Sequence, residues 1–199
     1  MPEYQHRARK RFGQNFLHDA GVIHRIHRSI YPRENQHIVE IGPGQGALTE
    51  GLIDSGARVD VVELDLDLIP ILNSRFSQRE NFHLNQGDAL KFDFAALANG
   101  PRSLRIVGNL PYNISTPLIF HLLSHAECIQ DMHFMLQKEV VERLAAQPGG
   151  GDWGRLSIMV QYYCQVEHLF SGGPGAFNPA PKVDSAIVRL VPHETLPHP

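Results

Sequence analysis

The sequence predicts an α/β fold: a mostly parallel, doubly wound sheet with an antiparallel closing strand. Three observations carry this expectation. Short apolar runs recur along the chain, segments with apolar residues at helical spacing alternate with them, and the links between the two are short. That alternation belongs to a parallel sheet covered by helices on both faces. A length of 199 residues and 42% apolar content allow one ordinary core, so one domain over residues 1–199 is expected.

The elements follow in order. Val22, Ile23, Ile26 and Ile30 recur at helical spacing, and Pro32 ends that helix. Ile38–Ile41 reads as a buried strand and Ala47–Ser55 as a helix ending near Gly56. Val59–Val62 is the next strand and Leu66–Phe76 the next helix, with Pro70 in its first turn, where a missing N–H is tolerated. A short strand, Phe82–Leu84, precedes Gly87-Asp88. Strand Ile106–Val107, helix Pro117–Ser124, strand Met132–Leu136 and helix Val140–Ala146 come next. Gly149–Gly151 is a loop, Leu156–Cys164 a further helix, and Val166–Phe170 and Ala186–Val191 closing strands. Residues 1–18 form a basic arm, and residues 192–199, with three prolines, a linker or chain end.

Composition limits the function. No run of 18 apolar residues exists, so no membrane-spanning helix and no membrane partner are expected. The N-terminus lacks a signal-peptide core, and Cys128 and Cys164 match no metal or redox spacing; free thiols in a reducing cytoplasm are expected. A monomer is the default. The formal charge of −3 hides an asymmetry: residues 1–33 hold seven Lys/Arg and two acids (+5), whereas residues 34–199 hold eleven and nineteen (−8). A basic arm on an acidic body can engage phosphates locally, or simply be solvated. His24 and His27, like His121 and His125, share a helical face, but no neighbouring acid or cysteine completes a ligand set, and no metal is expected.

Two motifs carry chemistry. Gly42-Pro43-Gly44-Gln45-Gly46 lies between the first buried strand and its helix, where glycines permit close approach of a ligand. Glu63 ends the next strand, 21 residues after Gly42, where a carboxylate can accept both ribose hydroxyls. Asp88 follows the third strand and can accept from an adenine amine. All three sit at carboxyl ends of strands, the crevice in which open α/β sheets bind ligands. A glycine-rich turn is often purely structural, and turn and acid together do not separate a nicotinamide cofactor from S-adenosylmethionine. The spacing here is G-x-G-x-G rather than G-x-G-x-x-G, which weakens the dinucleotide alternative.

The second motif, Asn109-Leu110-Pro111-Tyr112, ends the run Leu104–Gly108. The Asn109 amide oxygen and the Leu110 carbonyl can accept the two hydrogens of a planar amine while Tyr112 stacks on the base that carries it. Together with the glycine turn this points to methyl transfer onto adenine, a reaction that needs alignment rather than a metal or a covalent intermediate. The base must be single-stranded or flipped out of its helix. The alternative is a proline turn with Tyr112 in the core. Phe177, in a loop stiffened by Pro174, Pro179 and Pro181, either meets the other face of the base or plugs the core. Phe12–Leu17 either covers the cofactor when RNA orders the arm or staples the first helix.

Together these motifs closely resemble the small-subunit ribosomal RNA adenine dimethyltransferases, the kasugamycin-sensitivity family. The matching segments run from Phe12-Gly13-Gln14-Asn15-Phe16-Leu17 to Val183-Asp184-Ser185-Ala186 and include Val39–Gly44, Asn109–Thr116, Gln137–Val140 and Gly154–Ser157. The resemblance implies the catalytic domain of a Rossmann-like class I methyltransferase that uses S-adenosylmethionine and releases S-adenosylhomocysteine. It implies dimethylation of two adjacent adenosines in small-subunit RNA, with the small ribosomal subunit as partner and a role in its maturation. Cofactor contacts carry over to Asn15, Leu17, Gly42, Gly44, Glu63, Asp88 and Asn109. Handling of the base carries over to Asn109, Leu110 and Tyr112, with Phe177 assisting. The family usually continues into a small helical domain, which is absent before Pro199. Gly172-Gly173-Pro174 stands where the family commonly has a valine-proline-proline type segment, so a looser loop is expected. Adenine in large-subunit RNA or DNA is a sister reading, because phosphates carry no sequence information. A docking factor that keeps the fold without catalysis is the reading from another class.

Overall fold

The computed structural model describes residues 14–197. Seven strands form one sheet: β2 (His37–Ile41), β3 (Arg58–Glu63), β4 (Phe82–Gln86), β5 (Leu104–Asn109), β6 (Ile129–Gln137), β7 (Cys164–Gly172) and β9 (Ser185–Pro192), in the spatial order β4-β3-β2-β5-β6-β9-β7. The pairs among β4, β3, β2, β5 and β6 are parallel. β9 pairs antiparallel with both β6 and β7. The expected antiparallel strand is therefore present, but it lies one place in from the edge, and β7 forms the edge. A second, two-stranded sheet pairs β1 (Phe16–Leu17) with β8 (Phe177–Asn178). Neither of these two-residue strands has a sequence period from which to predict it.

The core shows why the runs became strands. Successive side chains on a strand point to opposite faces. Ile38, Val107, Met135 and Ile187 pack on one face against α1 (Ala20–Ile30), α2 (Thr49–Asp54) and α3 (Leu68–Phe76). Val39, Ile41, Ile106, Phe134 and Leu136 pack on the other against α4 (Ser115–Leu123), α5 (Lys138–Leu144) and α6 (Arg155–Tyr163). Ile38, Val39, Val107 and Leu136 are fully buried, as strands covered on both faces require.

Element ends follow local chemistry. Asp19 caps α1, accepting from the Val22 N–H at 2.9 Å, and the helix stops at Tyr31, whose backbone is left-handed (φ 50°), one residue before Pro32. α2 begins two residues later than the sequence suggested, because Gly44–Leu48 form turns; the Gly46 N–H donates to the Pro43 carbonyl at 3.0 Å. α3 also begins two residues late, after a turn in which the Leu68 N–H donates to the Asp65 carbonyl at 3.0 Å. The α1 terminus is tied to the sheet by Arg105, 5% exposed. Its guanidinium bonds both Asp131 oxygens at 2.9 and 3.0 Å and donates to the Ile30 carbonyl at 2.6 Å. An arginine inside an apolar run is thus satisfied by a helix end and a neighbouring strand at once.

The tail expected from residue 192 begins slightly later. β9 runs through Pro192, and the His193 N–H donates to the Tyr163 carbonyl at 2.9 Å. Arg7, Arg9, Lys10, Arg11 and the Phe12–Gly13 end of the amide patch lie outside the described residues. So do His198 and Pro199. Among the described residues no helix is long and apolar enough to cross a membrane.

Candidate active site

A cavity of about 1120 Å³ opens at the carboxyl ends of β2, β3, β4 and β5. That is slightly above the size usual for small-molecule sites, with room for a nucleoside cofactor and a second planar group. Asn15, Leu17, Gly42, Gly44, Glu63, Asp88, Asn109, Leu110 and Tyr112 all line it. Phe177 does not.

The glycine turn forms its floor. Gly42 and Gly44 both have positive φ (63° and 59°), which a side chain would strain. A methyl group at Gly44 would also stand 3.0 Å from the Phe16 ring, which covers the turn. Close passage of a ligand over bare backbone is what this geometry permits.

Glu63 is 6% exposed. Burial raises its pKa from 4.5 to about 7, and the nearby Asp65 charge adds to the rise; peptide N–H groups of Asp65, Leu64 and Gly44 hold part of it back. One oxygen, Oε2, accepts from the Asp65 N–H at 3.0 Å. Asp88 accepts from the Leu90 N–H through Oδ1 at 3.0 Å, and Oδ2 is not used in that bond. The two carboxylates thus stand at successive strand ends, each anchored by backbone and each with acceptor capacity toward the cavity.

At the other end the Asn109 carboxamide donates from Nδ2 to the Asn15 carbonyl at 2.9 Å. Because the nitrogen is committed there, Oδ1 is the atom suited to accept from an amine. The Leu110 side chain is buried, and its N–H donates to the Met135 carbonyl at 3.2 Å, which pins the turn to β6. Tyr112 borders the cavity with its ring half-buried, while its hydroxyl shares a 2.6 Å hydrogen bond with the buried Ser185 hydroxyl. Burial pushes the Tyr112 pKa up and the Ser185 bond partly offsets this, so the phenol stays neutral. Tyr112→Phe should cost about 1.5 kcal/mol of stability in denaturant unfolding while keeping the ring in place. An unchanged stability would mean that the Ser185 bond contributes nothing.

Phe177 lies away from the cavity lining. It is 3% exposed and packs in the core beside Leu17, its cross-strand partner. An apolar ring that can be covered by Leu17 and the sheet gains more from burial than from waiting in the rim. Its neighbour Asn178 points the other way and lines the cavity. In this conformation Phe177 packs into the core and does not line the cavity. A side-chain carbon at Gly172 or Gly173 would meet nothing within 4 Å, although Gly172 is paired with Ser185 at the end of β7.

Sequence reasoning missed Glu40 and Gln14. Glu40 lines the cavity, is 1% exposed, and accepts a short hydrogen bond from the Thr49 hydroxyl. Burial raises its pKa from 4.5 to about 7; the Thr49 bond opposes this and the Glu63 charge reinforces it. A charged residue inside an otherwise apolar strand was the available signal. Gln14 donates to Asp65 at 2.9 Å, a pairing across 51 residues that no local pattern announces. One histidine of each pair is used internally: His121 Nε2 bonds the Phe92 carbonyl at 2.7 Å, and His27 Nε2 the Leu48 carbonyl at 2.9 Å. Among the described residues no group of three or more potential ligands could hold a metal ion.

The family model for ribosomal RNA adenine dimethylase matches residues 5–199. Ribosomal RNA small subunit methyltransferase A of Pseudomonas syringae pv. syringae (strain B728a) is 78% identical over 197 residues, covering 99% of this chain and 74% of that protein. The protein of the same name from Marinomonas sp. (strain MWYL1) is 65% identical over 194 residues, covering 98% and 73%. The structure of a dimethyladenosine transferase from Plasmodium falciparum matches with a TM-score of 0.80 at 34% identity, covering 90% of this chain and 64% of that one. That of the 23S rRNA methyltransferase ErmE matches with a TM-score of 0.80 at 30% identity, covering 92% and 71%. The fold is the Rossmann-like one of S-adenosylmethionine-dependent methyltransferases. A match over nearly the whole chain places it: the chain belongs to the ribosomal RNA adenine dimethylase family, enzymes that methylate adenine from S-adenosylmethionine.

Proposed function

We propose that this chain dimethylates the exocyclic amines of two adjacent adenosines in small-subunit ribosomal RNA during subunit maturation. One observation supports the residue roles above all: the Asn109 carboxamide borders the cavity with its nitrogen held by the Asn15 carbonyl, so its oxygen is presented as an acceptor.

The residues divide the work. Glu63 accepts from the ribose hydroxyls and Asp88 from the adenine amine of the cofactor, while Gly42, Gly44, Asn15 and Leu17 shape its bed. S-adenosylmethionine, when bound, supplies a methyl group already activated on a sulfonium. An adenine amine is a poor nucleophile because its lone pair is delocalised into the ring. The Asn109 oxygen and the Leu110 carbonyl take its two hydrogens, bias the nitrogen toward tetrahedral geometry and direct the lone pair at the methyl. Tyr112 supports the base by its ring face, and Phe177 serves by anchoring the loop that carries Asn178. Rate enhancement then comes from alignment and fixed dipoles.

The small subunit is favoured over the large by the greater identity to small-subunit enzymes, 78% against 30% for the 23S enzyme. In this reading the enzyme works as a monomer in the cytoplasm, where the subunits are assembled. Mass mapping of methylated adenosines after incubation with small subunits from a methylase-deficient strain tests it. Two adjacent dimethyladenosines are expected; unmodified small-subunit RNA beside methylated large-subunit RNA would overturn it.

The basic arm is proposed to grip phosphate. Neutralising Arg7, Arg9, Lys10 and Arg11 should weaken RNA binding and flatten its salt dependence by about 0.7–0.9 log units per lost contact. An unchanged slope would show that the arm does not touch phosphate.

A further inference from the structure

Residues 14–17 cross the cavity and are fixed at both of its ends. Gln14 Nε2 donates to Asp65 Oδ2 at 2.9 Å. Asp65 is 1% exposed; its Oδ1 accepts from the Asp67 N–H at 3.0 Å, and its own N–H donates to Glu63 Oε2 at 3.0 Å. Gln14 is therefore one residue removed from the carboxylate at the nucleoside end. The next residue, Asn15, accepts the Asn109 Nδ2 hydrogen at the amine end. Phe16 and Leu17 then pair with Asn178 and Phe177. Two consecutive residues thus span the distance between the two halves of the reaction.

We propose that Gln14 is a positioning residue for methyl transfer, whose bond to Asp65 latches residues 14–17 across the cavity and holds the Asn15 carbonyl where it orients the Asn109 carboxamide. A bond to a buried carboxylate is among the stronger neutral-to-charged hydrogen bonds. It offsets the conformational entropy lost when the segment is ordered. Without it the Asn15 carbonyl leaves, and the Asn109 amide, whose terminal torsion is broad, can turn its nitrogen toward the amine. Two donors would then face each other. The same segment covers the glycine turn through Phe16, so release of the latch also uncovers the cofactor bed.

The rate effect rests on the amine-clamp reading of Asn109; the affinity effect does not. The test uses the full chain, with cofactor affinity from calorimetry and single-turnover transfer to undermethylated small subunits at saturating S-adenosylmethionine. Gln14→Ala should bind the cofactor about tenfold more weakly and, once saturated, transfer about tenfold more slowly. Its melting temperature should be unchanged. Gln14→Glu, which opposes two carboxylates, should be at least as impaired. Gln14→Glu combined with Asp65→Asn restores one donor and one acceptor in reversed order, and should recover both quantities to within about threefold of the parent. The proposal is overturned if Gln14→Ala stays within about twofold on both measures. A fall in affinity with an unchanged saturated rate would also overturn positioning, leaving only a cofactor contact. A folded swap variant that fails to recover would overturn the Gln14–Asp65 bond as the cause. If the swap does not fold, Gln14→Ala decides alone. A fully active Asn109→Ala variant would remove the clamp, in which case the latch stands or falls by the affinity measurement.

Discussion

Asn109→Ala is expected to lower the single-turnover rate of methyl transfer by about 10²–10³-fold, the usual cost of removing one positioned polar group aimed at a transition state. Cofactor affinity should fall much less, because Glu63, Asp88 and the glycine turn all remain. The change removes an acceptor that the amine needs as its nitrogen becomes tetrahedral, and it frees the Asn15 carbonyl from its 2.9 Å partner. Calorimetry with a radiolabelled methyl assay on undermethylated small subunits separates the two effects. Full turnover by the variant would sink the clamp; loss of cofactor binding in proportion to rate would make Asn109 a cofactor residue only. Asn109→Asp is a sharper companion. It keeps the shape but replaces the donor that Asn15 accepts with an oxygen, so it should be impaired although an acceptor remains.

The second large effect belongs to Glu63. Glu63→Ala should weaken cofactor binding on the order of 100-fold, because two hydrogen bonds to a charged acceptor are lost. Its titration gives a pH signature as well. The folded pKa is raised from 4.5 to about 7 by burial, so the folded protein without ligand holds a proton that the unfolded chain has released. The contribution to stability is therefore greatest below about 4.5 and declines as pH rises toward 7. Ligand binding has the opposite slope. Ribose hydroxyls donate to the ionised carboxylate, so affinity should climb as pH rises through 7 and level off above it, with a proton released on binding near neutrality.

Glu40, also raised to about 7, borders the same cavity and should add to that slope. The α-amino group of S-adenosylmethionine titrates at about 7.7–8.0. 5′-Methylthioadenosine, which lacks that group, is therefore the cleaner ligand. Its affinity from pH 6 to 8 should rise for the parent and be flatter for Glu63→Gln, the residual slope being that of Glu40. A pH-independent affinity with no dependence on buffer ionisation enthalpy would show that Glu63 is already ionised before the ligand arrives.

The meeting of Gly42, Gly44, Glu63 and Asp88 at one cavity was largely legible along the chain. A glycine turn after one strand, an acid ending the next and an acid after the third are local signals, and a parallel sheet brings strand ends of one polarity to one rim. Gly42, Gly44, Glu63 and Asp88 meet there for that reason. The turn after β5 was legible for the same reason, since Asn109 ends a strand adjacent to β2.

The rest could not be read locally. Phe177 and Asn178 are neighbours on a two-residue strand, and which one faces the cavity depends on the register with Phe16 and Leu17, about 160 residues away. The choice went against the ring because Leu17 and the sheet offered it a dry site. The Asn15–Asn109 and Gln14–Asp65 bonds likewise join residues 94 and 51 positions apart. The carboxylate pKa values depend on burial by elements that share no local sequence with them. The amino-acid sequence by itself determined the sheet and the order of the candidate residues along one rim, because periodicity and strand polarity are local properties. Only the tertiary structure decided which side chains face the cavity, how the carboxamide is turned and which acids keep their protons near neutrality. Those outcomes depend on register, long-range hydrogen bonds and desolvation, which exist only once distant segments have packed.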